Sequence, residues 1–341
     1  MLSRPDNNKI LLVGDLHPVP EELKDCSALI DRILGICRSE EVFEVWFSGD
    51  QHHTNNVVRL EVINWWMATI KAFRDQGIRL VFIPGNHDQE FPGSDLNAMI
   101  IYRDMQGVLV ADKPTLHRGV LLLPYYHEES SFQAACQAYP EASTVFCHQT
   151  FNGSTYENGF LAKDGFSVDR IPQRLVISGH IHTPQEWGKV WYIGAPRWRT
   201  LSDANVERSV WLLELGVELG VEPGEPGETV VKNRIPFDTG AVCRQIRALE
   251  DTPDKPVELP LEARHQWHVT VRGPLDWCNR RKVELQAAGA RVRTLPDQVS
   301  TVGRVRESQG IDVAFREYQK VFVAPLGTPA DVLQGLVGKR L

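Results

Sequence analysis

Residues 83–90 read "IPGNHDQE" and follow directly on the apolar run "IRLVF" of residues 78–82. A helix does not continue through Pro84 and Gly85, so the spacing predicts a strand ending in a loop. Asn86, His87 and Asp88 crowd onto the end of that buried strand. One polar residue there would be turn chemistry. Three residues of types that hold metals or move protons, side by side, ask for a chemical explanation.

The same plan recurs outward from this stretch. "KILLVGDLH" (9–17), "VFEVWFSGDQHH" (42–53), "STVFCHQ" (143–149) and "RLVISGHIH" (174–182) each run from apolar residues into a polar loop. Between the first three lie segments of helical spacing, "EELKDCSALIDRILGIC" and "VVRLEVINWWMATIKAF". Strands alternating with helices predict an α/β fold with central strands buried on both faces. In such sheets, loops at the carboxyl ends of strands line the ligand crevice, so five loops are expected to meet at one edge.

Those loops carry Asp15, His17, Asp50, Asn86, His87, His148, His180 and His182. Oxygen ligands and imidazoles without thiolates suit Mn, Fe or Zn. Asp15, His17, Asp50 and His182 could hold one ion, and Asn86, His148 and His180 a second. Asp50 has two carboxylate oxygens and could bridge them. Two ions about 3.5–4 Å apart form the clamp used for in-line phosphoryl displacement, each lowering the pKa of bound water. His87, beside a ligand, is placed to protonate the departing oxygen as general acid. Asp88 is expected to orient the loop or His87. Taken singly, each of these residues has an ordinary explanation. Their conjunction at five strand ends, in an order that fills two sites, is what carries the reading.

The motifs "GDLH", "GD", "GNHD", "H" and "GHIH", in that order, resemble those of the calcineurin-like metallophosphoesterase superfamily over roughly residues 9–205. The resemblance implies a two-sheet sandwich flanked by helices, with a dinuclear centre, usually loaded with two Mn2+. Protein Ser/Thr phosphatases carry an Arg shortly after the second motif, which "GDQHHTN" lacks. The chain looks more like the SbcD-type DNA double-strand-break repair nuclease subunit. Some members of that group carry a His where His53 stands, three residues after Asp50, implicated in positioning the phosphate. "WYIGAPRWRTLSDAN" (191–205) resembles the loop leading toward the substrate, with Arg197 and Arg199 as candidate DNA contacts.

The resemblance implies an exonuclease, with endonuclease activity an open addition, working in DNA repair and recombination with an SMC-like ATPase. The chain has no GxxxxGK[ST] of its own, so ATP-dependent action would need that subunit. It also implies a homodimer through helices near 56–75 and 94–105. Trp65 and Trp66, about 100° apart on a helix, are hard to bury in one core and suit such an interface. Two other readings share the motifs: a small-molecule or cyclic-nucleotide phosphodiesterase, and a non-catalytic scaffold of the same fold.

The chain has 341 residues, enough for two domains. Residues 1–215 form the expected nuclease domain. Residues 216–240, rich in Gly, Pro and Glu, are an expected linker. Residues 241–310 form a small α/β DNA-capping domain, "QWHVTVRGP", "LDWCNRRKVELQAAG" and "ARVRTLP" reading as strand, helix and strand. Residues 311–341 are expected to be helical and a candidate docking segment for the ATPase. "GKVWYIGAP" and "RSVWLLELGVE" suggest a second, more antiparallel sheet.

A formal net charge of −7 argues against non-specific nucleic-acid binding by the whole surface. The capping segment differs, with Arg272, Arg280, Arg281, Lys282, Arg291 and Arg293 clustered in it. Of these, Arg280, Arg281 and Lys282 are the candidate contacts to duplex or single-stranded DNA. Six cysteines form no CxxC pair and suggest a reducing compartment. With no apolar run long enough for a signal peptide or a membrane helix, the sequence predicts the cytoplasm of a bacterial or phage-infected cell.

Overall fold

A computed structural model of the chain describes residues 7–215, 231–237, 245–259 and 265–297. The described residues fall into two compact units, one built on residues up to Ala248 with Leu261–Trp267, the other on Leu249–Pro260 and the residues from His268.

The first unit begins with β1 (Lys9–Val13), α1 (Leu23–Ser39), β2 (Glu44–Phe47), α2 (Leu60–Asp75), β3 (Arg79–Phe82) and β4 (Val108–Val110). These four strands pair in parallel. There follow β5 (Thr115–His117), β6 (Val120–Leu122), α3 (Glu129–Gln137), β7 (Thr144–Cys147), β8 (Leu175–Ser178), β9 (Gln185–Trp187) and β10 (Val190–Tyr192). Strands β6, β7, β8 and β10 are mutually parallel, with β5 and β9 as antiparallel edges. Then β11 (Ser209–Glu214) returns to the first sheet antiparallel to β1, and β12 (Val231–Pro236) pairs outside it. The result is two six-stranded sheets, ordered β12-β11-β1-β2-β3-β4 and β5-β6-β7-β8-β10-β9.

Side-chain alternation explains the layering. Successive residues of a strand face opposite ways. Leu11, Val13, Val45, Phe47, Leu80 and Phe82 pack under α1 and α2 against Leu29, Ile33, Trp66, Ile70 and Phe73. Their alternates, Ile10, Leu12, Trp46 and Val81, meet Val120, Leu122, Phe146, Ile177 and Trp191 between the sheets. On the far side, Leu121, Val145, Val176 and Tyr192 pack against Phe132 and Cys136 of α3. This is the two-sheet α/β sandwich flanked by helices.

Three expectations are corrected. The apolar runs near 190 and 209 do not share an antiparallel sheet: β10 joins the mainly parallel second sheet, and β11 the first. The stretch 231–236, expected within a linker, is an edge strand. Trp65 and Trp66 both pack within the chain. Trp66 is fully buried and donates from Nε1 to the Gln51 carbonyl at 2.7 Å. Trp65, partly buried, packs against the same core and donates to Ser27 Oγ at 2.9 Å.

A separate three-stranded sheet comprises β13 (Gln245–Asp251), β14 (His265–Gly273) and β15 (Arg291–Pro296), with α4 (Leu275–Ala287) between the parallel pair β14 and β15. Cys278 and Leu285 form the buried stripe of α4. The rest of the expected linker, residues 298–310 of the expected capping domain and the proposed docking segment 311–341 lie outside the described residues. Among the described residues, no helix is long and apolar enough to cross a membrane.

Candidate active site

The loops after β1, β2, β3, β7 and β8 converge, three from one sheet and two from the other, and the strand after "GHIH" supports them. Backbone hydrogen bonds hold the loops together: His17 donates to the Asp50 carbonyl at 3.0 Å, and Ala195 to the His182 carbonyl at 3.0 Å. Glycine permits the approach at two points. A Cβ on Gly49, at φ +116°, would lie 2.2 Å from His148 Nδ1, and one on Gly85 would lie 2.2 Å from Asp50 Oδ1. His17, Asp50 and His180 themselves sit at φ +43°, +57° and +76°, a region that non-glycine residues rarely adopt. Each such residue costs roughly 1–3 kcal/mol and persists because its surroundings hold it.

Two sets of ligand atoms result. Asp15, His17 and His182 offer one cluster within 4.8 Å, and Asp50, His148 and His180 another. Asp50 Oδ2 faces both, 3.2 Å from His17 Nε2 and 3.3 Å from His148 Nε2. Asn86 Oδ1 joins the second set, 3.0 Å from His148 Nε2 and 2.9 Å from His180 Nδ1.

The donor chemistry of the second set asks for a cation. His148 Nδ1 donates to the Ser48 carbonyl at 2.7 Å, so neutral His148 presents a lone pair at Nε2. That lone pair meets two oxygens and His180 Nδ1, 3.1 Å away. Burial disfavours a charged His148, but the Asp50 and Asp15 carboxylates outweigh it and push the imidazole up to about 10. Burial and the charge of His148 push His180 down to about 3. A buried pocket that draws a proton onto His148 favours positive charge at that point, which a divalent ion would supply in the proton's place.

Surrounding contacts fix the candidate ligands Asp15 and His182. Asp15 accepts from Ser48 Oγ at 3.1 Å and from the His180 amide at 2.9 Å. His182 Nδ1 lies 3.3 Å from Asp203 Oδ1, which turns Nε2 toward Asp15, 3.8 Å away. Asp203 is fully buried, ion-paired to Arg208 at 2.8 Å, and also accepts from the Arg199 and Thr200 amides. Sequence reasoning missed Asp203, although "TLSD" carries the spacing of a capping box, which the short helical turn there forms. Asp88 ties two loops together: it is fully buried and accepts from the Gly85, His52 and Gln51 amides at 2.9, 2.8 and 3.2 Å. Burial and the neighbouring Asp50 push its carboxyl up to about 8.

His87 and His53 stand beside the ligands with rings stacked, centroids 5.5 Å apart. The His87 amide donates to Asp50 Oδ1 at 2.9 Å, and its Nδ1 donates to the His53 carbonyl at 2.7 Å, leaving Nε2 to exchange a proton. Arg199 donates to His53 Nδ1 at 3.3 Å, so neutral His53 carries its hydrogen on Nε2. Burial and Arg199 push His53 down to about 4, which makes it a neutral hydrogen-bond donor rather than an acid at neutral pH.

The five basic residues expected at DNA divide by burial. Arg197 is 2% exposed and donates to the Leu16 and His17 carbonyls and to Glu22, so it is corrected from a DNA contact to a support of the His17 loop. Arg281 is corrected likewise: it holds both oxygens of Asp251 at 2.9 and 3.1 Å, with Glu284 and the Val257 carbonyl taking its other donors. Arg199 faces the site beside His53, and Arg280 and Lys282 are exposed on α4.

Residues 8–184 match the model of the calcineurin-like phosphoesterase family. The chain belongs to that family. Over 182 residues it is also 28% identical to "Exonuclease subunit 1" of Enterobacteria phage T4, a match covering 50% of this chain. The chain spans about half the length of that curated relative, 52%. Family membership implies divalent metals, and the two His/Asp clusters are residues that could bind them.

Proposed function

We propose that the chain is a DNA nuclease that hydrolyses phosphodiesters with two divalent ions, manganese for preference, and works as the nuclease subunit of an SMC-like ATPase complex. The observation that carries the reading is the placement of Asp50 Oδ2 between the two ligand sets, with His87 hydrogen-bonded to the other oxygen of the same carboxylate. When bound, the ions would supply an activated water and charge neutralisation at the phosphate.

The chain's own residues divide the remaining work. Asp15, His17, Asp50 and His182 would hold one ion, and Asp50, Asn86, His148 and His180 the other. His53, donating from Nε2, orients a non-bridging phosphate oxygen. Arg199 fixes the His53 tautomer and adds positive charge at the same place. His87 gives its Nε2 proton to the leaving oxygen. DNA is favoured over a small diester by similarity to the phage exonuclease subunit and by exposed Arg280 and Lys282. The homodimer and ATPase assembly belong to the same reading.

The test compares hydrolysis of linear duplex DNA, bis-p-nitrophenyl phosphate and cyclic AMP with Mn2+, with and without ATP and co-purified protein. DNA degradation dependent on Mn2+ is expected. Turnover of cyclic AMP with DNA untouched would favour a small-molecule phosphodiesterase, and no turnover of any substrate would favour a scaffold.

A further inference from the structure

Between His148 and His180 the chain makes an excursion whose tip is a turn closed by an antiparallel bridge at Thr155–Leu161, with a parallel bridge at Phe151–Phe166. Two neighbouring large apolar residues stand on it in solvent, Phe160 at 71% and Leu161 at 59% exposure. A lone exposed apolar side chain needs no explanation, but these occupy a backbone fixed in unusual detail. The Phe160 amide donates to Asn158 Oδ1 at 3.0 Å, and its carbonyl accepts from Tyr156 at 2.9 Å. Gly159 donates to the Tyr156 carbonyl at 2.9 Å. Both backbone polar groups of the exposed phenylalanine are therefore held.

The turn is fastened to the catalytic loop in the same way. The Glu157 carboxylate accepts from the amide of His182. Gln185, three residues beyond His182, brackets Thr155, accepting from its amide at 2.8 Å and donating to its carbonyl at 2.7 Å. Phe160 is thus three residues from a side chain that touches a ligand residue, within a single tight turn. An exposed aromatic ring on a turn whose backbone is hydrogen-bonded and which is tied to the amide of His182 has a natural complement. It is the face of a nucleobase, which every nucleotide offers whatever its sequence.

We propose that Phe160, beside Leu161, is a stacking platform for an unpaired base of the DNA strand being cut. The inference rests on the DNA reading above and adds a residue to it. The ring captures a base swung out of the duplex end and fixes the register of the strand over the ions. The cost of unstacking is offset in part because the base exchanges one aromatic neighbour for another. Glu157 transmits that register by holding the turn to the backbone of His182.

The test uses Phe160→Ala and Phe160→Trp in the full chain with Mn2+. Substrates are a linear duplex, a single-stranded oligonucleotide with 2-aminopurine at its terminal positions, and bis-p-nitrophenyl phosphate, which has no base. Phe160→Ala should lower kcat/KM on both DNA substrates by about tenfold, from the stacking contribution of one base. The aminopurine quenching seen on binding should be lost as well. Phe160→Trp should retain both, and all three proteins should hydrolyse the aryl diester equally. Wild-type rates on DNA for Phe160→Ala would overturn the proposal. So would an equal loss on the aryl diester, since the turn would then act only through His182. Failure of the wild type itself to bind or cut DNA while hydrolysing the diester would instead sink the DNA reading.

Discussion

At the scale of single residues, the convergence of the proposed ligands was legible because their chemistry is concentrated in short motifs: Asp15, His17, Asp50, Asn86, His148, His180 and His182 all stand at strand ends. The residues that orient them were not legible in the same way. Asp203 lies more than twenty positions beyond His182, and only folding brings it to Nδ1. Arg197 illustrates the opposite error: an Arg next to a substrate loop reads as a phosphate contact, but its donors fold inward to carbonyls. Two predictions follow the assignments. His87→Gln should lower kcat by about 10²–10⁴-fold while leaving metal binding in place, if the ring is the proposed proton donor and not one of the ligands. Calorimetric Mn2+ titration beside a rate assay checks both halves. Asp203→Asn should weaken metal affinity by roughly 10–100-fold, because the amide no longer holds His182 in the ligating tautomer. The same titration with a circular-dichroism control reads this out.

At the scale of elements, the near-continuous apolar runs in "KILLV" and "EVWF" announced strands covered on both faces, and each face proved to pack a different layer. Which strand joins which sheet was not legible, since β10 and β11 have similar composition and the return of β11 beside β1 is a long-range choice. The amino end of β2 offers a prediction. Glu44 is 4% exposed and bonded to Trp46 Nε1 at 2.7 Å and His117 Nε2 at 2.9 Å, joining one sheet to the other. Burial alone would raise its carboxyl, but these hydrogen bonds and the charges of His117 and Arg118 outweigh it and hold it below the ordinary 4.5. A depressed value in the fold means the stabilisation is complete above the unfolded-state value and is lost as pH falls through the folded one. Glu44→Gln should therefore cost roughly 1–3 kcal/mol at neutral pH. The difference should shrink below about pH 4.5. Urea midpoints of both proteins across pH test the sign.

At the scale of the whole molecule, the two-sheet sandwich was legible from motif order, because each motif marks the end of a parallel strand. The edge strand β12 was hidden behind a Gly- and Pro-rich approach that resembles a linker. The protein should also be more stable loaded than bare, since ions held by the two residue sets would bind the folded state and not the unfolded chain. Manganese at about a hundred times its dissociation constant should add roughly 2.7 kcal/mol per site. Scanning calorimetry with and without EDTA should show the melting temperature falling by several degrees on chelation. An unchanged temperature would mean that the ligand sets bind no ion.

The left-handed backbone of His17, Asp50 and His180 carries a lesson for anyone engineering this protein. Those three positions are where heat tolerance and turnover pull in opposite directions. Replacing His180 with glycine would relax a contorted loop of the bare protein, but it would also remove a proposed ligand and with it the activity that ligand is proposed to support. Library screens based on survival alone would therefore enrich for inert variants, so selection here must be made on product formed.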